Sequence, residues 1–131
     1  MKKSVWFLSV LIVLSLVLSA CGAQATEAPA PAEKFRVAVV MPSAINDLAF
    51  SQSMYDALLR IQTEMGGAEA FEFVYSDGMF VVDDAAAAIR DYATQGYNLV
   101  IAHGSQYGSS LQEIAPDFPN TSFAWGTTVD T

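Results

Sequence analysis

Hydrophobic positions are spaced in three different ways along this chain. Residues 5–18 form one apolar run that only Ser9 and Ser15 interrupt. Residues 22–33 show no apolar period and contain two prolines, a composition typical of a semi-extended tether. From residue 34 onward, short apolar runs alternate with stretches of helical spacing. The pattern predicts a leader over 1–20, an Ala/Pro-rich tether over 21–33 and a folded segment over 34–131.

The folded segment is predicted to contain four strands separated by three helices. The strands are expected over 35–41, 71–75, 98–102 and 121–125. Such alternation is typical of a parallel sheet with right-handed crossovers, so the predicted fold class is α/β, a doubly wound parallel sheet. Ligands of such sheets bind at the carboxyl ends of the strands. Any site is therefore expected in the loops at 42–50, 76–82, 103–107 and from 126 onward.

Each predicted helix has an apolar stripe and a sequence signal at an end. The stripe of the first helix consists of Phe50, Met54, Leu58, Ile61 and Met65. The stripes of the other two are Ala85, Ala88, Ile89 and Tyr92, and Leu111, Ile114 and Ala115. Gly66 and Gly67 are expected to end the first helix, and Gly96 the second. Asp83 or Asp84 is expected to cap the second helix.

The loop after the first strand holds candidate ligand contacts. Asn46, Asp47 and Ser51 offer a carboxylate, an amide and a hydroxyl, and Phe50 offers a ring. Carboxylate and amide groups suit sugar hydroxyls, whereas an aromatic face suits a flat ring such as a nucleobase. The alternative is that Asn46 or Asp47 caps the helix and that Phe50 is its first core residue. Composition alone leaves both interpretations open.

The loop after the third strand holds the only histidine, His103, followed by Gly104 and Ser105. Small residues here would let a ligand approach the backbone. A lone histidine is more often structural than catalytic, and Ser105 lacks the glycine two places later that a nucleophile elbow needs. The loop also lacks the phosphate-binding and dinucleotide-binding patterns. We therefore expect no enzyme activity, no cofactor and no metal site.

Charge and cysteine content exclude further classes of protein. The chain carries 6 Lys and Arg against 14 Asp and Glu, a formal net charge of −8. Nucleic-acid binding needs a basic face, so no nucleic-acid partner is expected. A single cysteine excludes a disulfide framework within the chain and a cysteine-rich zinc site.

The leader begins with two lysines and ends in a short motif. Leu18, Ser19, Ala20 and Cys21 resemble the lipobox of bacterial lipoproteins. The resemblance implies cleavage before Cys21 and acylation of that residue, which would anchor the protein to a membrane. The alternatives are an ordinary secreted protein with a free thiol, or a transmembrane span. A helix over residues 4–20 would be only ~25 Å long, short of the ~30 Å hydrocarbon core.

A family resemblance extends over most of the folded segment, in the runs at 35–42, 45–47, 50–52 with Tyr55, 89–93, 95–101, 103–104, 118–119 and 123–124. In these runs the chain resembles the basic membrane protein family, the substrate-binding lipoproteins of ABC importers. The resemblance implies the type I periplasmic-binding fold, a small-molecule ligand such as a purine nucleoside, and an ABC transporter permease as partner. Localisation would be the extracytoplasmic face of the cell membrane, through the lipid anchor.

The same resemblance assigns roles to individual residues. Asp47 would be a polar contact to the ligand, Phe50 a ring stacked on the base, and His103 with Gly104 part of the pocket wall. Trp125, at the end of the fourth strand, is a further predicted ligand contact. Two positions depart from the family pattern: many members have Asn where Ser51 stands and an acidic residue where Trp125 and Gly126 occur.

The length of the chain limits what it is expected to do alone. Binding proteins of this type close two lobes around a ligand, and only six residues follow Trp125. We expect a truncated first lobe whose fourth strand presents an open edge. A metabolite-sensing lipoprotein of the same fold, and a flavodoxin-like or hydrolase enzyme, are the alternatives.

Overall fold

The computed structural model describes residues 33–127, which form four strands and three α-helices. The predicted leader over 1–20, the lipidation site Cys21 and nearly all of the tether lie outside the described residues. The strands are β1 (Phe35–Val40), β2 (Phe71–Ser76), β3 (Leu99–His103) and β4 (Ser122–Gly126). The helices are α1 (Phe50–Glu64), α2 (Val82–Thr94) and α3 (Gly108–Ile114), with short 3-10 turns at Ser105–Tyr107 and Ala115–Asp117. None of the helices between residues 33 and 127 is long and apolar enough to cross a membrane.

All four strands are parallel and lie in the order β2-β1-β3-β4. The predicted α/β fold with a parallel sheet is confirmed, and each strand boundary agrees with the sequence prediction within one residue. In the register, Val39 lies opposite both Tyr75 and Ile101, and His103 lies opposite Gly126. The carboxyl ends of the strands therefore lie along one edge of the sheet.

The central strand β1 is buried on both faces. On one face Ala38 and Val40 pack with residues of α2 and α3, including Ile89 and Ile114. On the other face Val37, Val39 and Met41 pack with Leu58 of α1 and with Phe71. The continuous apolar run of β1 is what a two-sided burial requires. Helices therefore cover both faces, as the doubly wound class demands.

Helix α1 buries less of its predicted stripe than the spacing indicates. Leu58 is buried and Met54 is partly buried against the sheet. Ile61 and Met65, by contrast, are 39% and 49% exposed. Within the described residues, the sheet face under α1 offers apolar partners only to the first part of the helix. The residues of the predicted stripe therefore do not all lie in the core of the described segment.

Helix α2 begins without the predicted side-chain cap. Its N-cap position is Val81, so Asp83 and Asp84 lie inside the first turn and the capping prediction was wrong. Carboxylates in this turn still face the positive end of the helix dipole. The end of α2 is as predicted, because Gly96 has a φ of 74° and its N–H donates to the carbonyl of Ala93 at 3.0 Å.

Candidate functional site

Hydrogen bonds join the loops that follow β1 and β2 at the carboxyl edge of the sheet. The N–H of Met79 donates to the carbonyl of Met41 at 2.9 Å, and the N–H of Gly78 donates to that of Ser43 at 3.2 Å. The carboxylate of Asp77 accepts from the N–H of Ile45 at 3.0 Å. These two loops therefore form one continuous wall.

Asp47 uses both carboxylate oxygens inside the protein. Oδ1 accepts from the N–H groups of Ala49 at 2.9 Å and Gln52 at 3.2 Å. Oδ2 accepts from the N–H of Ser51 at 3.1 Å and from the hydroxyl of Ser43. Asp47 thus accepts hydrogen bonds from backbone amides that have no acceptor within the first turn of α1. It acts as a capping residue although it precedes the N-cap position.

The hydroxyl of Ser43, followed by these backbone amides, holds the pKa of Asp47 well below its usual range. Ser51 belongs to the same network: it is fully buried, and its Oγ accepts from the N–H of Ser43 at 3.2 Å and lies 2.8 Å from the hydroxyl of Ser43. Asn46, by contrast, is exposed. The structure therefore places Ser51 behind the loop and Asn46 on its surface.

Phe50, the first residue of α1, stacks on the imidazole of His103. The two ring centroids are 3.9 Å apart and the ring planes differ by 11°. Nε2 of His103 also lies 3.3 Å from the carbonyl oxygen of Phe50. Two of the predicted site residues, 53 positions apart in sequence, are therefore in direct contact.

His103 is 8% exposed, and its Nδ1 is buried without a hydrogen-bond partner among the described residues. A Cβ on Gly126 would lie 3.0 Å from this nitrogen, so the glycine leaves room for the imidazole. Burial is the main cause that lowers the pKa of His103, against the opposing effects of the Phe50 carbonyl and Asp47. Neither ring nitrogen is hydrogen-bonded to Ser105, which is exposed, so the described contacts contain no Ser–His pair for a hydrolase.

Trp125 packs inward, over the start of α3. Its indole N–H donates to the carbonyl of Gly104 at 3.0 Å. A Cβ on Gly108 would lie 2.2 Å from Cζ2 of Trp125, and one on Gly104 would lie 2.7 Å from Cε2 of Tyr107. Both glycines therefore make room for aromatic rings of the protein itself.

Three apolar side chains project from the rim that surrounds these loops. Leu48 is 89% exposed, Phe80 77% and Val81 58%. Leu48 also has a φ of 60°, a backbone conformation that costs a residue with a Cβ ~1 kcal/mol or more. The carboxyl edge therefore combines a fixed polar loop, an aromatic stack and an apolar rim.

A surface depression of about 450 Å³ lies at the opposite edge of the sheet. Its lining includes Asn98 before β3, Asp117 and Asn120. It is distant in the topology from the strand ends at which parallel sheets bind ligands. We therefore assign the candidate site to the carboxyl edge.

Comparison with known proteins identifies the family. A family model described as ABC transporter substrate-binding protein PnrA-like matches residues 34–129. The chain belongs to this family. The match covers all four strands and all three helices of the described segment.

Two individual proteins resemble the chain. It is 31% identical over 108 residues to the transcriptional activator protein med of Bacillus subtilis (strain 168), a match that covers 82% of this chain and 32% of that protein. It also resembles a solved ABC transporter system solute-binding protein from Conexibacter woesei DSM 14684, with a TM-score of 0.60 and 25% identity. That match covers 67% of this chain and 28% of the other. The chain thus spans about a third of the length of both proteins.

For this PnrA-like chain, sequence reasoning missed the residues that fix the loops. Tyr107 is fully buried, and its hydroxyl donates to the carbonyl of Met79 at 2.7 Å, which ties the loop after β3 to the loop after β2. Burial raises the pKa of Tyr107 to about 12. Asp77 ties the loop after β2 to the loop after β1 through the N–H of Ile45, and Ser43 fixes the loop after β1 internally through its bond to Asp47. The one signal in the sequence is an aromatic residue placed between two glycines, since Tyr107 lies between Gly104 and Gly108.

Proposed function

We propose that this chain forms part of the ligand-binding lobe of an extracytoplasmic substrate-binding protein that serves an ABC importer. Membership of the PnrA-like family supports the transporter role and the permease as partner. The ligand is a small molecule bound at the carboxyl edge of the sheet, and a purine nucleoside is the ligand class that we infer. The protein is held on the membrane by acylated Cys21.

The observation that carries the choice of ligand is the ring of Phe50. It is half-buried at the mouth of α1, in the loop where a parallel sheet binds ligands, and is held against a second ring. An aromatic face binds flat heterocycles by stacking, at ~1 to 3 kcal/mol per base. Sugars lack a flat aromatic ring, as do most amino acids.

The proposed ligand contacts are Asn46, Phe50, His103, Gly104, Ser105 and Trp125, with Asp47 and Ser51 behind them. Asn46 and Ser105 are exposed and free to turn toward a ligand. Asp47 already accepts hydrogen bonds from four donors within the protein. A hydrogen bond from a ribose hydroxyl would be additional to this capping role.

A thermal-shift screen of the full-length protein against nucleosides, sugars and amino acids tests this proposal. Binding stabilises the native state in proportion to the logarithm of ligand concentration over Kd, so a true ligand raises Tm in a dose-dependent way. We expect shifts with purine nucleosides only. Shifts confined to sugars or amino acids would contradict the proposed ligand class.

A sensory role is a second candidate, favoured by the similarity to the transcriptional activator protein med of Bacillus subtilis. The formal net charge of −8 argues against direct contact with nucleic acid by this chain. A regulatory role would therefore act through the bound metabolite. Uptake of a labelled nucleoside by cells with and without the gene separates the two: an importer subunit is needed for uptake, whereas a sensor is not.

A further inference from the structure

We propose that His103 is a positioning residue for Phe50, which it holds through a ring stack and a backbone hydrogen bond so that the phenyl ring is a preformed platform for a flat heteroaromatic ligand. The inference rests on the proposed function, because it names how the proposed ligand face is fixed. It assigns to His103 a positioning task in addition to the ligand contact proposed above.

One imidazole contacts both the ring and the backbone carbonyl of Phe50. The ring centroids lie 3.9 Å apart at 11°, and the Nε2 atom lies 3.3 Å from the Phe50 carbonyl oxygen. A side chain at the first position of a helix otherwise keeps rotamer freedom, and fixing such a side chain on binding lowers affinity. Contact at the ring and at the backbone removes that freedom before the ligand arrives.

The hydrogen bond to Phe50 also fixes which nitrogen of the imidazole carries the proton. A carbonyl oxygen can only accept, so Nε2 must carry the proton and Nδ1 is left as a bare acceptor. Nδ1 is buried beside Gly126 and has no partner among the described residues. A second proton would place a buried N–H there with no acceptor among residues 33–127, which is unfavourable. The platform is therefore built for neutral imidazole.

The surroundings of the ring agree with this assignment. Asp47, in the loop after β1, is the charged group that favours the protonated form, and burial opposes it more strongly. From α1 the ring meets Phe50 and from β4 it meets Gly126, and neither of these titrates. The positive end of the α1 dipole adds to the cost of a charged imidazole.

Binding of guanosine to the full-length protein tests the inference, with three variants compared with wild type. His103→Leu removes both contacts, His103→Phe keeps a ring but cannot donate to the Phe50 carbonyl, and Phe50→Ala removes the platform. Ser109→Ala, on the exposed side of α3, is the matched control. Circular dichroism verifies that each variant is folded.

At pH 8 we expect His103→Leu to bind guanosine about 2- to 12-fold more weakly, the cost of ordering one free side chain on binding. His103→Phe should retain more of the affinity than His103→Leu. Wild-type affinity should fall as the pH is lowered below the usual histidine value of ~6.5, because protonation disrupts the platform. The affinity of both His103 variants for guanosine should not fall over the same pH range. Equal affinities in wild type and His103→Leu, or equal pH profiles, would overturn the inference.

Nuclear magnetic resonance of the imidazole gives a readout that needs no ligand. The signals are assigned as those that the His103→Phe variant lacks. We expect the Nε2–H tautomer, and ring protons shifted upfield by the Phe50 ring in wild type but not in Phe50→Ala. Absence of that tautomer or of the upfield shift overturns the inference. If both are present while wild type fails to bind guanosine, the positioning of Phe50 stands and the proposed ligand class fails.

Discussion

At the scale of single residues, Asp47 shows how one side chain can serve a loop and a helix together. Its carboxylate accepts from Ser43 and from three backbone amides at the start of α1. The anion is therefore stabilised in the folded state more than in the unfolded chain. A depressed pKa in the native state contributes stability that is present above the unfolded value of ~3.9 and is lost as pH falls below it.

Replacement of Asp47 by Asn should flatten the acid limb of the stability curve. We expect Tm of the wild type to drop between pH 5 and pH 2.5 more steeply than that of Asp47→Asn, because only the wild type carries the group with the lowered pKa. Melting curves followed by circular dichroism measure this. Asp56→Asn, on the exposed side of α1, is the control and should keep the wild-type slope. Parallel curves for Asp47→Asn would contradict the assignment.

Phe50 should be the strongest affinity determinant at the carboxyl edge. In the full-length protein, Phe50→Ala should weaken nucleoside binding by roughly 1 to 3 kcal/mol, the range measured for bases stacked on aromatic side chains. Isothermal titration calorimetry provides the affinity. Leu59→Ala, an apolar and 44% exposed position of the same helix, should leave affinity unchanged. Unchanged affinity in folded Phe50→Ala, with only Tm reduced, would support the alternative that Phe50 is simply a packing residue.

The sequence contained the members of this cluster but not their arrangement. Asp47 and Phe50 stand out because they follow an apolar strand, and His103 because it is the only histidine. That His103 stacks on Phe50 depends on where β3 ends relative to the start of α1, which local spacing does not encode. The inward direction of Trp125 likewise depends on the bare backbone of Gly108, and not on any property of the tryptophan.

At the scale of elements, α3 and β4 are joined through a glycine and an indole. A Cβ on Gly108 would lie 2.2 to 2.7 Å from three atoms of the Trp125 ring. The ring is also held by its hydrogen bond to Gly104, so it cannot move without loss of that bond. The first residue of α3 is thus restricted to glycine by close approach.

Gly108→Ala should therefore destabilise the fold even though alanine is the better helix former. We expect a loss of about 1 to 3 kcal/mol, the usual cost of overpacking. Urea denaturation gives the free energy of unfolding, and emission of Trp125 should shift to the red as the indole is displaced. Ser109→Ala, one position later in the same helix, should change stability by less than ~0.5 kcal/mol. A Gly108→Ala protein of wild-type stability would show that the ring relocates freely.

The helices and strands could be predicted because each shows its own spacing of apolar residues along the sequence. Where each one starts and ends also depends on contacts with other parts of the fold. The four strands were found from apolar runs, and Gly66 and Gly96 were correctly expected at helix ends, where both have positive φ. The start of α2 was placed too late because aspartate is a common N-cap residue, which made Asp83 and Asp84 the expected caps. The helix extends one residue further back to Val82, which places both carboxylates within the first turn.

At the scale of the whole molecule, the proposed lipid anchor at Cys21 would determine where the folded segment works. If Cys21 is acylated, the two or three chains bury many methylenes at ~0.8 kcal/mol each and hold the protein on a bilayer. Cleavage before Cys21 also removes Lys2 and Lys3, which leaves 4 basic against 14 acidic residues and a formal charge of −10.

Expression of the chain in a lipoprotein-processing bacterium tests this anchor. We expect the wild type in the membrane fraction, with mass spectrometry showing an acylated N-terminal cysteine. Cys21→Ser should move the protein out of that fraction. The matched control is Ser19→Ala, which keeps a small residue inside the motif and should remain membrane-bound. A mature wild-type protein with a free thiol in the soluble fraction would refute the anchor.

The position of β1 has a consequence for how the chain acquires its structure during synthesis. β1 is the first of the four described strands to emerge, yet it lies in the interior of the sheet, where Val37 pairs with Phe73 on one side and with Leu99 on the other. The β1–α1–β2 unit can assemble once residue 76 is available, but the second side of β1 must wait for β3. During that interval a nascent chain carries an apolar strand with unpaired amides and carbonyls, which another chain can capture. The order of strands thus makes the yield of folded protein depend on how quickly residues 77–103 follow.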